Sequence, residues 1–366
     1  MSSIATLLFT LLLAALSLVD PSPVDINSAG EDILQELPGI GPAKATAIIE
    51  FRERFGSFLC LEDILLVPGI GAATLDNLEG LISVGGDICL PVDTLHWLSV
   101  ETLGDTLLSI SFLDVGNGDA TLLQAFGGET WLLDGGPDSQ GPLVASAAAR
   151  LLGMGIRELD TVMFTHPHAD HIGGLPDVMR TFRVAVVRDP GMVFSSFIYE
   201  ELLLAVLESS ANYKILESGD NYRLSKYVTL EVVYTGMDQP VNLTLNESSA
   251  VFLVRCGDFS ALIAGDIENE TEMLLSGSLP PLTLILAPHH GSMTSAFPPF
   301  LRRLRPQLAV FSAGRGNPFG HPHPAVLEIY SDLGAEILRT DQLGTIVVHT
   351  DGMSVLYSPI MRGASP

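Results

Sequence analysis

The feature that most constrains this chain is a dense group of polar side chains at residues 166–171, with the sequence His-Pro-His-Ala-Asp-His. The apolar run 161–164 precedes the group, and the pair Gly173-Gly174 follows it. A run that is short, apolar and partly β-branched is typical of a buried strand. The sequence therefore predicts that the group lies at the C-terminal end of a buried strand, before a turn that the glycines permit.

The order of these side chains suits two neighbouring metal ions. Because successive side chains of a strand point to opposite faces, His166 and His168 lie on one side and can bind one ion. Asp170 and His171 come after the expected end of the strand and can face a second ion. Imidazole and carboxylate together are ligands of Zn²⁺, Mn²⁺ and iron. The alternative is surface or hydrogen-bonded core histidines, which explains one histidine better than three within six residues.

Strand-like and helix-like patterns alternate on both sides of this group, which favours an α/β domain with two sheets between layers of helices. The predicted strands cover residues 107–115, 120–125, 130–133, 161–165, 184–187, 228–234, 249–256, 260–264, 282–287, 308–311, 345–349 and 354–356. The predicted helices cover residues 144–152, 176–182, 197–208 and 325–333.

The polar group resembles the H-x-H-x-D-H motif of the metallo-β-lactamase superfamily of metal-dependent hydrolases. Other marks of that superfamily occur in the expected order, namely Leu133-Asp134-Gly135-Gly136, Ala264-Gly265-Asp266 and His289-His290-Gly291-Ser292. The resemblance covers about residues 105–357. It implies the αββα sandwich fold of that superfamily, with two divalent metal ions, Zn²⁺ or Mn²⁺, as cofactors.

Three segments are similar to the soluble C-terminal domain of ComEC, the DNA-internalisation protein of competence. They are Phe112-Leu113-Asp114-Val115-Gly116-Asn117-Gly118-Asp119-Ala120, Ala287-Pro288-His289-His290-Gly291-Ser292 and Gly320-His321-Pro322-His323-Pro324. This resemblance implies a role connected with DNA. Two ions that share an activated water suit the hydrolysis of a phosphodiester, a lactone, a thioester or a β-lactam.

The resemblance also implies a role for the remaining acidic and imidazole groups. Asp266 would bridge the two ions, and either His289 or His290 would complete the second ion. Asp134 would orient a histidine ring without touching metal.

Asp114 and Asp119 belong to the first ComEC-like motif and are expected in the same outer layer as the carboxylates that orient ligands. Each has a simpler alternative. Asp119 could cap a turn, and Asp114 could accept hydrogen bonds from backbone amides beside Gly116.

One departure from the superfamily pattern affects the first ion. Many of these hydrolases place a histidine between the main motif and the bridging aspartate, but none occurs between His171 and His289. The corresponding stretch is Asn246-Glu247-Ser248-Ser249. The first ion therefore has two imidazoles and Asp266, unless the asparagine or first serine of this stretch or water contributes. Such an oxygen-richer site favours Mn²⁺ over Zn²⁺ and argues against a β-lactamase or a glyoxalase.

His321 matches the ComEC-like pattern and is expected to protonate the leaving 3′ oxygen. Its alternative is a hydrogen bond to a backbone carbonyl before the helix that starts near Ala325. His323 is expected to be structural. Arg315, within the segment Gly-Arg-Gly-Asn, offers a cation and free amides for a phosphate. Residues 339–341 are expected to line the same cleft.

An internal repeat occupies an early part of the chain. Residues 34–41 (LQELPGIG) are echoed by residues 64–71 (ILLVPGIG). Each copy predicts a helix, a Pro-Gly-Ile-Gly hairpin and a second helix, because glycine permits positive φ and isoleucine fills the gap between the helices. Free N–H groups at the start of the second helix can receive a phosphate. The expected phosphate or DNA contacts are Gly39, Ile40, Gly41, Gly69, Ile70 and Gly71.

The repeat, with Val24-Asp25-Ile26-Asn27-Ser28-Ala29 before it, resembles the tandem helix-hairpin-helix of ComEA, the DNA-receptor competence protein. It implies DNA, single- or double-stranded, as a partner. Residues 25–79, however, carry ten acidic side chains against Lys44, Arg52 and Arg54. The whole chain has a net charge of −25, which argues against capture of nucleic acid by bulk electrostatics. The alternative is a packing module whose DNA affinity has decayed.

The chain begins with a run of apolar and small residues at positions 4–19. We expect residues 1–23 to be a signal peptide or a membrane anchor, with a buried N-terminal helix as the alternative. The expected location is extracytoplasmic: secreted, periplasmic or anchored to a membrane.

Breaks such as Gly85-Gly86 and Pro91 indicate a linker after the repeat. Within it, His96 and Trp97 are expected to make a small hydrophobic docking contact. The predicted boundaries are 24–83 for a small all-α tandem helix-hairpin-helix domain, 84–104 for the linker and 105–366 for the metallo-β-lactamase-fold domain.

Together these features predict an exported, metal-dependent nuclease or phosphodiesterase with a dinuclear site, in which the helix-hairpin-helix domain presents DNA. The alternative is a small-molecule hydrolase of the same superfamily, in which the repeat is only an interaction domain. A DNA-binding accessory with a decayed site is a third possibility, which the complete ligand set disfavours. The sequence leaves the oligomeric state open.

Overall fold

The computed structural model describes residues 23–55, 58, 61, 64, 67–78, 80–84, 106–138, 146–238 and 243–360. Most of the predicted leader and linker, including His96 and Trp97, lies outside the described residues. The chain divides into two compact units, Met1–Pro91 and Val92–Pro366, and the division falls inside the predicted linker. No helix in the described part of the chain combines the length and apolar character needed to cross a membrane.

Within the described residues, the strands are β1 (Val24–Asp25), β2 (Ile82–Ser83), β3 (Leu108–Phe112), β4 (Thr121–Ala125), β5 (Thr130–Leu133), β6 (Glu158–Met163), β7 (Arg183–Asp189), β8 (Asn212–Ile215), β9 (Asn221–Arg223), β10 (Val228–Tyr234), β11 (Val251–Cys256), β12 (Phe259–Ile263), β13 (Leu284–Leu286), β14 (Leu308–Phe311), β15 (Glu336–Arg339), β16 (Thr345–Thr350) and β17 (Val355–Ile360). The helices there are α1 (Glu31–Gln35), α2 (Pro42–Phe55), α3 (Ala72–Leu78), α4 (Ala147–Gly153), α5 (Ala169–Ile172), α6 (Leu175–Thr181), α7 (Phe197–Glu208), α8 (Asn269–Leu275), α9 (Pro298–Leu304), α10 (Pro324–Asp332) and α11 (Thr340–Leu343).

In the first unit, both Pro-Gly-Ile-Gly segments form tight turns that lead into a helix, α2 in the first copy and α3 in the second. Gly39 and Gly69 adopt φ values of +81° and +83°, which glycine reaches without a Cβ clash. Ile40 and Ile70 are 3% and 5% exposed, so both are buried, as a side chain that fills the gap between helices should be. Their N–H groups donate to carbonyl oxygens three residues earlier. These two amides are therefore engaged and do not serve as the free phosphate donors that the sequence suggested.

The ends of this unit are joined by a short parallel pair, in which Val24 lies opposite Ile82. The side chain of Asn27 adds a second connection. Its Nδ2 donates to the carbonyl oxygens of Phe58 and Val84 at 2.8 and 2.9 Å, and its Oδ1 accepts the N–H of Phe58 at 2.7 Å. Distant parts of the segment are thus held in one compact unit.

Two of the three basic side chains of this unit make contacts within it. Lys44 Nζ donates to Thr74 Oγ1 at 3.2 Å, and Arg52 Nη1 donates to the carbonyl oxygen of Ile26 at 2.7 Å. Part of the small basic complement of the repeat therefore stabilises the unit itself.

The second unit contains two mixed sheets. The eight-stranded sheet has the order β17-β16-β3-β4-β5-β6-β7-β8, and the seven-stranded sheet has the order β15-β14-β13-β12-β11-β10-β9. Strands β5 to β8 run parallel in the first sheet, and β12 to β15 run parallel in the second. Parallel strands are commonly covered on both faces, which explains continuous apolar runs such as Leu308–Phe311.

The main hydrophobic core lies between the sheets. On β3, Leu108, Ile110 and Phe112 belong to this core, and the two intervening serines fall on the opposite face, as the period of a strand requires. Leu230 and Phe252 contribute from the seven-stranded sheet. The alternation of the sequence on β3 therefore determines which face of the strand is buried.

Helices cover the outer faces. Phe300 of α9 and Tyr330 of α10 form a second apolar cluster with Leu262 and Ile285 of the seven-stranded sheet. On the other side, α4 and α7 each pack against α6, which packs on β7. The second unit is therefore the predicted αββα sandwich, and the first unit is the predicted small helical module.

Several predicted elements are confirmed, and α7, β10 and β14 have the predicted bounds. The metal-bearing strand β6 ends two residues earlier than predicted. Strands β1, β2, β8, β9 and β15 and helices α5, α8, α9 and α11 were missed. Pro298 and Pro299 occupy the first turn of α9, where proline is tolerated, so this stretch resembled a loop in the sequence.

Two buried carboxylates hold the loops beside the ends of β12 and β13. Glu247 is 4% exposed and accepts the N–H groups of Glu268, Glu270 and Thr271 at 2.9 to 3.0 Å. It thereby satisfies backbone donors at the start of α8, which otherwise lack partners inside the helix.

Glu272 is fully buried and accepts the N–H groups of Ala296 and Phe297 at 3.0 and 2.5 Å. Burial raises the pKa of Glu272 to about 7, although these two hydrogen bonds act in the opposite direction. The carboxyl group thus anchors residues 296–297, which come shortly after the histidine pair at residues 289–290.

We expect Glu272 to make the stability of this unit depend on pH. Its pKa is about 7 when folded and 4.5 in the reference state, so the unfolded chain releases the proton first as pH rises. Stability should fall between about pH 4.5 and 7, by about 3 kcal/mol for this group, and then level off. The variant Glu272→Gln should lack this part of the decline in denaturant titrations.

The exposed neighbour Glu270 supplies the control, because Glu270→Gln should keep the wild-type pH slope. A glutamine in place of Glu272 can lose part of the bonding to the two amides at every pH, so the slope and not the absolute stability is decisive. An identical slope for Glu272→Gln and wild type would contradict the assignment.

Candidate metal centre

The candidate centre lies at the C-terminal ends of parallel strands from both sheets. The loop after β6 carries His166 and His168, and helix α5 carries Asp170 and His171. Strand β12 ends at Ile263, shortly before the loop that carries the predicted bridging aspartate. Loops that follow neighbouring parallel strands meet at one edge of a sheet, so residues far apart in sequence come together there.

Among the described residues, three groups of side chains have donor atoms within 4.8 Å of one another. One group consists of Asp119, Asp134 and His171, and the remaining two have one aspartate in common. The first of these two contains His166, His168 and Asp266, and the second contains Asp170, His171, His290 and Asp266. The aspartate is common to both groups, as the position of a bridging ligand requires.

The two carboxylate oxygens of Asp266 face different histidines. Oδ2 lies 3.8 Å from His166 Nε2, whereas Oδ1 lies 3.1 Å from His171 Nε2 and 3.7 Å from His290 Nε2. Asp170 Oδ2 lies 3.4 Å from the same His290 nitrogen. The structure therefore brings Asp170, His171 and His290 together near Oδ1 of Asp266, while His166, whose ring centroid is 4.3 Å from that of His171, lies nearer Oδ2.

Several donor atoms of this centre are buried and make no hydrogen bond of good geometry with the described residues, although some of them lie within 3.1 to 3.3 Å of another polar atom. They are Asp119 Oδ1, His171 Nε2, Asp266 Oδ1 and His290 Nε2. Buried polar atoms normally have partners, and an unsatisfied group costs free energy. Imidazole nitrogens and carboxylate oxygens in this state fit divalent metal ions, which take such ligands.

The electrostatics of the centre are those of a compact cluster of opposite charges. Burial, and then the charge of His171, lower the pKa of His166 well below its usual value. Burial also opposes protonation of His171, but the carboxylates of Asp266 and Asp134 raise its pKa well above that value. The charges of His171 and His290 overcome the burial of Asp266 and lower its pKa. Asp266 is thus an anion that needs cationic neighbours.

Asp134 contacts a histidine ring of the centre, the kind of contact through which the resemblance implied that it would orient a ligand. Its Oδ1 accepts the N–H of Thr165 at 2.7 Å, and its Oδ2 accepts the Thr165 hydroxyl at 2.9 Å. The same Oδ2 lies 2.9 Å from His171 Nδ1. This contact keeps the proton of His171 on Nδ1 and leaves Nε2 directed at Asp266.

The other two acidic residues of the first motif have different surroundings. Asp119 Oδ1 lies 3.3 Å from His290 Nδ1, and that nitrogen also lies 3.1 Å from the carbonyl oxygen of Ser312. Asp114 Oδ2 lies 3.7 Å from Arg150 Nη2, and the Asp114 carbonyl oxygen accepts a hydrogen bond from Arg150 Nε. The sequence analysis missed this contact between Asp114 and helix α4.

Gly118 lets the first motif approach helix α5 closely. A Cβ atom at this position would lie 2.1 Å from the carbonyl oxygen of Asp170. The neighbouring N–H of Asp119 donates to that same oxygen at 3.2 Å. Gly118 therefore serves close packing against helix α5, and Asp119 supplies the carboxylate that contacts His290.

His321 stands beside the centre at a small cleft that it lines together with Asn117, His290, Asn317 and Phe319. Its ring centroid is 5.7 Å from that of His289. Burial, followed by the charges of His290 and His289, lowers the pKa of His321.

The neighbouring candidate residues have fewer free hydrogen-bonding groups than the sequence predicted. His323 caps α10, because its Nδ1 accepts the N–H of Ala325, which supports the structural role expected for it. The N–H of Gly314 is not free for a phosphate, since it donates to Asn117 Oδ1 at 3.0 Å. Arg315 Nε donates to the carbonyl oxygen of Asp341 at 2.8 Å.

Asp341 is also paired with Arg339, whose Nε and Nη2 lie 2.9 and 2.7 Å from its carboxylate oxygens. Residues 339–341 therefore make contacts with one another and with Arg315. Arg315, which the sequence assigned to phosphate binding, and Arg339 therefore use some of their N–H groups in contacts with Asp341.

Sequence reasoning missed two residues beside the histidine pair. Glu268 Oε1 lies 3.1 Å from His289 Nδ1 and accepts the Thr294 hydroxyl at 2.8 Å. Glu268 follows Asp266 by two positions, which was the only signal in the sequence, because Thr294 comes from a separate loop.

Comparison with known proteins identifies the family. The model of the metallo-β-lactamase superfamily matches residues 113–315. The chain belongs to the metallo-β-lactamase superfamily. It is a hydrolase of that superfamily, whose fold implies divalent metal ions at the clustered histidines and aspartates. A helix-hairpin-helix model matches residues 19–83.

The relatives include competence proteins. ComE operon protein 3 of Bacillus subtilis is 28% identical over 303 residues, covering 77% of this chain and 37% of the relative. Recombination protein 2 of Haemophilus influenzae is 29% identical over 241 residues, covering 63% and 27%. ComE operon protein 1 of Bacillus subtilis is 44% identical over 61 residues, covering 17% and 30%. These matches confirm the resemblance to ComEC-type and ComEA-type proteins, and the chain spans about a third of the length of these relatives.

Solved structures of the same fold are more distant in sequence. The metallo-β-lactamase fold protein YhfI of Bacillus subtilis has a TM-score of 0.44 and 11% identity, covering 69% of this chain and all of that chain. A putative metal-dependent hydrolase of Parabacteroides distasonis has a TM-score of 0.43 and 16% identity, covering 65% of this chain and 94% of that chain.

We expect Asp134→Asn to weaken metal binding while the fold survives. Asparagine still accepts the N–H of Thr165 and tolerates the positive φ of +58° at this position. Its amide would, however, face His171 Nδ1 as a donor, which favours the tautomer that carries its proton on the metal-facing Nε2. The dissociation constant for Zn²⁺, measured by chelator competition, should rise roughly 10- to 100-fold.

Asp160→Asn is the matched control, because the exposed Asp160 also accepts a backbone N–H, that of Thr130, at 2.7 Å. This variant should bind Zn²⁺ as wild type does. Unchanged Zn²⁺ affinity in Asp134→Asn would refute the orienting role.

Proposed function

We propose that this chain is an exported, metal-dependent phosphodiesterase that acts on DNA. The observation that carries the proposal is the position of Asp266 between two groups of ligand atoms. Paired divalent ions a few ångströms apart are well suited to displacement at phosphorus, because they act on both the attacking and the leaving oxygen. The relationship to competence proteins supports DNA as the substrate.

The side chains proposed to hold the ions are His166, His168, Asp170, His171, Asp266 and His290. When bound, the ions supply an activated water and stabilise negative charge on the leaving oxygen. The protein keeps most of these ligands away from bulk water, since His166 and His171 are fully buried. Asp134 and Asp119 contact the Nδ1 atoms of His171 and His290, so the Nε2 atoms that face Asp266 are the nitrogens that would give up a proton and bind an ion.

We assign the transfer of a proton to the leaving 3′ oxygen to His321. Its lowered pKa makes the neutral ring the main form in the free enzyme near neutral pH. A substrate phosphate beside the ring is an opposite charge that favours the imidazolium form. His321 would therefore gain its proton on substrate binding and release it to the leaving group.

We assign hydrolysis to residues 105–366 and the presentation of DNA to residues 24–83. Gly41 and Gly71 are exposed and precede the first residues of α2 and α3. Amides at such helix starts can meet a phosphate. Because Ile40 and Ile70 donate within the unit, the proposed donors are the amides of the flanking glycines.

The apolar run at residues 4–19 supports export, with residues 1–23 as a signal peptide or a membrane anchor and residues 84–104 as a linker. Full-length protein confined to the cytosolic fraction of its native cell would contradict export.

A second candidate function is the hydrolysis of a small molecule by the same centre. The charge of the repeat favours it, because ten acidic side chains in residues 25–79 outnumber Lys44, Arg52 and Arg54, and binding of DNA depends on basic charge. In that case the repeat is an interaction module.

The full chain loaded with Mn²⁺ should hydrolyse a small activated phosphodiester and DNA. Asp170→Ala should abolish both reactions, since it removes a proposed ligand, while the circular dichroism spectrum stays unchanged. His321→Ala should lower kcat by about 10²- to 10⁴-fold without loss of metal, because its role is proton transfer.

His323→Ala is the control for His321→Ala, because His323 is a nearby histidine that caps a helix. It should keep kcat. Loss of one metal equivalent in His321→Ala would show that His321 is a ligand. Absence of phosphodiester turnover with both Mn²⁺ and Zn²⁺ would favour the small-molecule function.

The double variant Gly39→Val, Gly69→Val should raise KM for long DNA without changing the hydrolysis of the small phosphodiester. Valine is strained at φ near +80° and would distort the proposed amide contacts. These amides would bind DNA far from the phosphodiester that reacts, so kcat should change little.

Gly30→Val is the control for this pair, because Gly30 has no positive φ and open space around it. It should leave KM for long DNA at the wild-type value. If the double variant also keeps the wild-type KM, the repeat does not present DNA.

A further inference from the structure

The histidine pair after β13 has an uncommon backbone. His289 and His290 adopt φ values of +52° and +55°, in the left-handed region that residues with a Cβ rarely occupy. The N–H of His289 donates to the carbonyl oxygen of Gly265 at 3.0 Å, which fixes this turn beside Asp266. Strain of this kind persists where the surrounding structure requires it, often at functional sites.

The consequence of this turn is that the two rings approach different oxygens of Asp266. His289 Nε2 lies 3.7 Å from Oδ2, the oxygen that His166 Nε2 also approaches. His290 Nε2 lies 3.7 Å from Oδ1, the oxygen that His171 Nε2 approaches. Consecutive residues thus approach the two different oxygens of one carboxylate.

A carboxylate stands behind His289 in the way already described for His171. Glu268 Oε1 lies 3.1 Å from His289 Nδ1, and Asp134 Oδ2 lies 2.9 Å from His171 Nδ1. Such a partner holds the proton on Nδ1, so the lone pair of Nε2 is available on the side of Asp266. His289 therefore has an oriented ring whose Nε2 faces Asp266, although it lies outside the groups of ligand atoms that are within 4.8 Å of one another.

The stretch that lacks the superfamily histidine supports this arrangement indirectly. Asn246 Nδ2 donates to Glu268 Oε1 at 3.4 Å, and Glu247 Oε2 accepts the N–H of Glu268 at 3.0 Å. Thr294 adds its hydroxyl to Glu268 Oε1. The segment therefore positions the carboxylate behind His289.

We infer that His289 completes the ligand set of the first ion, with His166, His168 and Asp266, and that His290 serves the second ion. One tandem pair thus supplies a ligand to each ion, and His289 takes the place of the histidine missing between the main motif and Asp266. Glu268 is a positioning residue for His289. The inference rests on the proposed dinuclear site, but on nothing about the substrate.

Titration of the metal-free full chain with Co²⁺, followed by its visible absorption, tests the inference without any activity measurement. Wild type should bind two Co²⁺ per chain. His289→Ala and His290→Ala should each weaken one of the two binding steps, and Glu268→Gln should weaken the same step as His289→Ala by roughly 10- to 100-fold. His323→Ala should match wild type.

Double variants identify the ion that each histidine serves. His168→Ala already disables the first site, so adding His289→Ala should cause no further loss, whereas adding His290→Ala should also remove the remaining Co²⁺. The Asp170→Ala background lacks a ligand of the second ion. There, adding His290→Ala should cause no further loss, whereas adding His289→Ala should also remove the remaining Co²⁺.

The inference is overturned if His289→Ala binds Co²⁺ as wild type does. It is also overturned if adding His289→Ala reduces Co²⁺ binding in the His168→Ala background but not in the Asp170→Ala background. Wild type that binds only one Co²⁺ removes the dinuclear site and the inference together. Normal Co²⁺ binding with no phosphodiester turnover would overturn the proposed function alone and leave the assignment of His289 standing.

Discussion

The centre depends on one buried carboxylate whose two oxygens face two sets of histidines. Asp266 is 2% exposed, and Oδ1 and Oδ2 each lie within 4 Å of two imidazole nitrogens. An anion taken out of water in this way is costly unless cations or strong donors surround it. The histidines that come from β6, α5 and the loop after β13 meet this need, and bound metal ions would meet it more fully. The two sheets place these elements at one edge because β6, β12 and β13 end there.

Around this carboxylate, acidic side chains stand behind the imidazoles. Asp134, Asp119 and Glu268 each contact the Nδ1 atom of a different histidine. This arrangement fixes the orientation of the rings and leaves their Nε2 atoms as the nitrogens that would bind an ion. Under the proposed function, metal ions would supply the local positive charge that a polyanion requires, which is compatible with so acidic a chain. The basic residues Lys44, Arg52 and Arg339 contact other parts of the protein.

Much of the fold and part of the centre could be predicted from the sequence. The alternating pattern of β10 and the continuous apolar run of β14 located these two strands. The group at residues 166–171 could be recognised because its members are close in sequence. The different placements of His289 and His290 could not be predicted, since a positive φ at two consecutive histidines breaks the alternation rule for extended backbone. Glu268 was missed for a related reason, because only tertiary packing brings it to His289. In the hairpins, the buried isoleucines were predicted, but their engaged amides were visible only in the hydrogen bonds.

The most direct test of the account is the position of the ions themselves. Crystals of the full chain grown with Mn²⁺ should be measured at a wavelength where manganese scatters anomalously. The account predicts two anomalous peaks, one on each side of Asp266 and about 4 Å apart. One peak should lie beside His166 and His289, and the other beside His171 and His290. A single peak, or two peaks that leave Asp266 outside the pair, would contradict the shared-carboxylate centre.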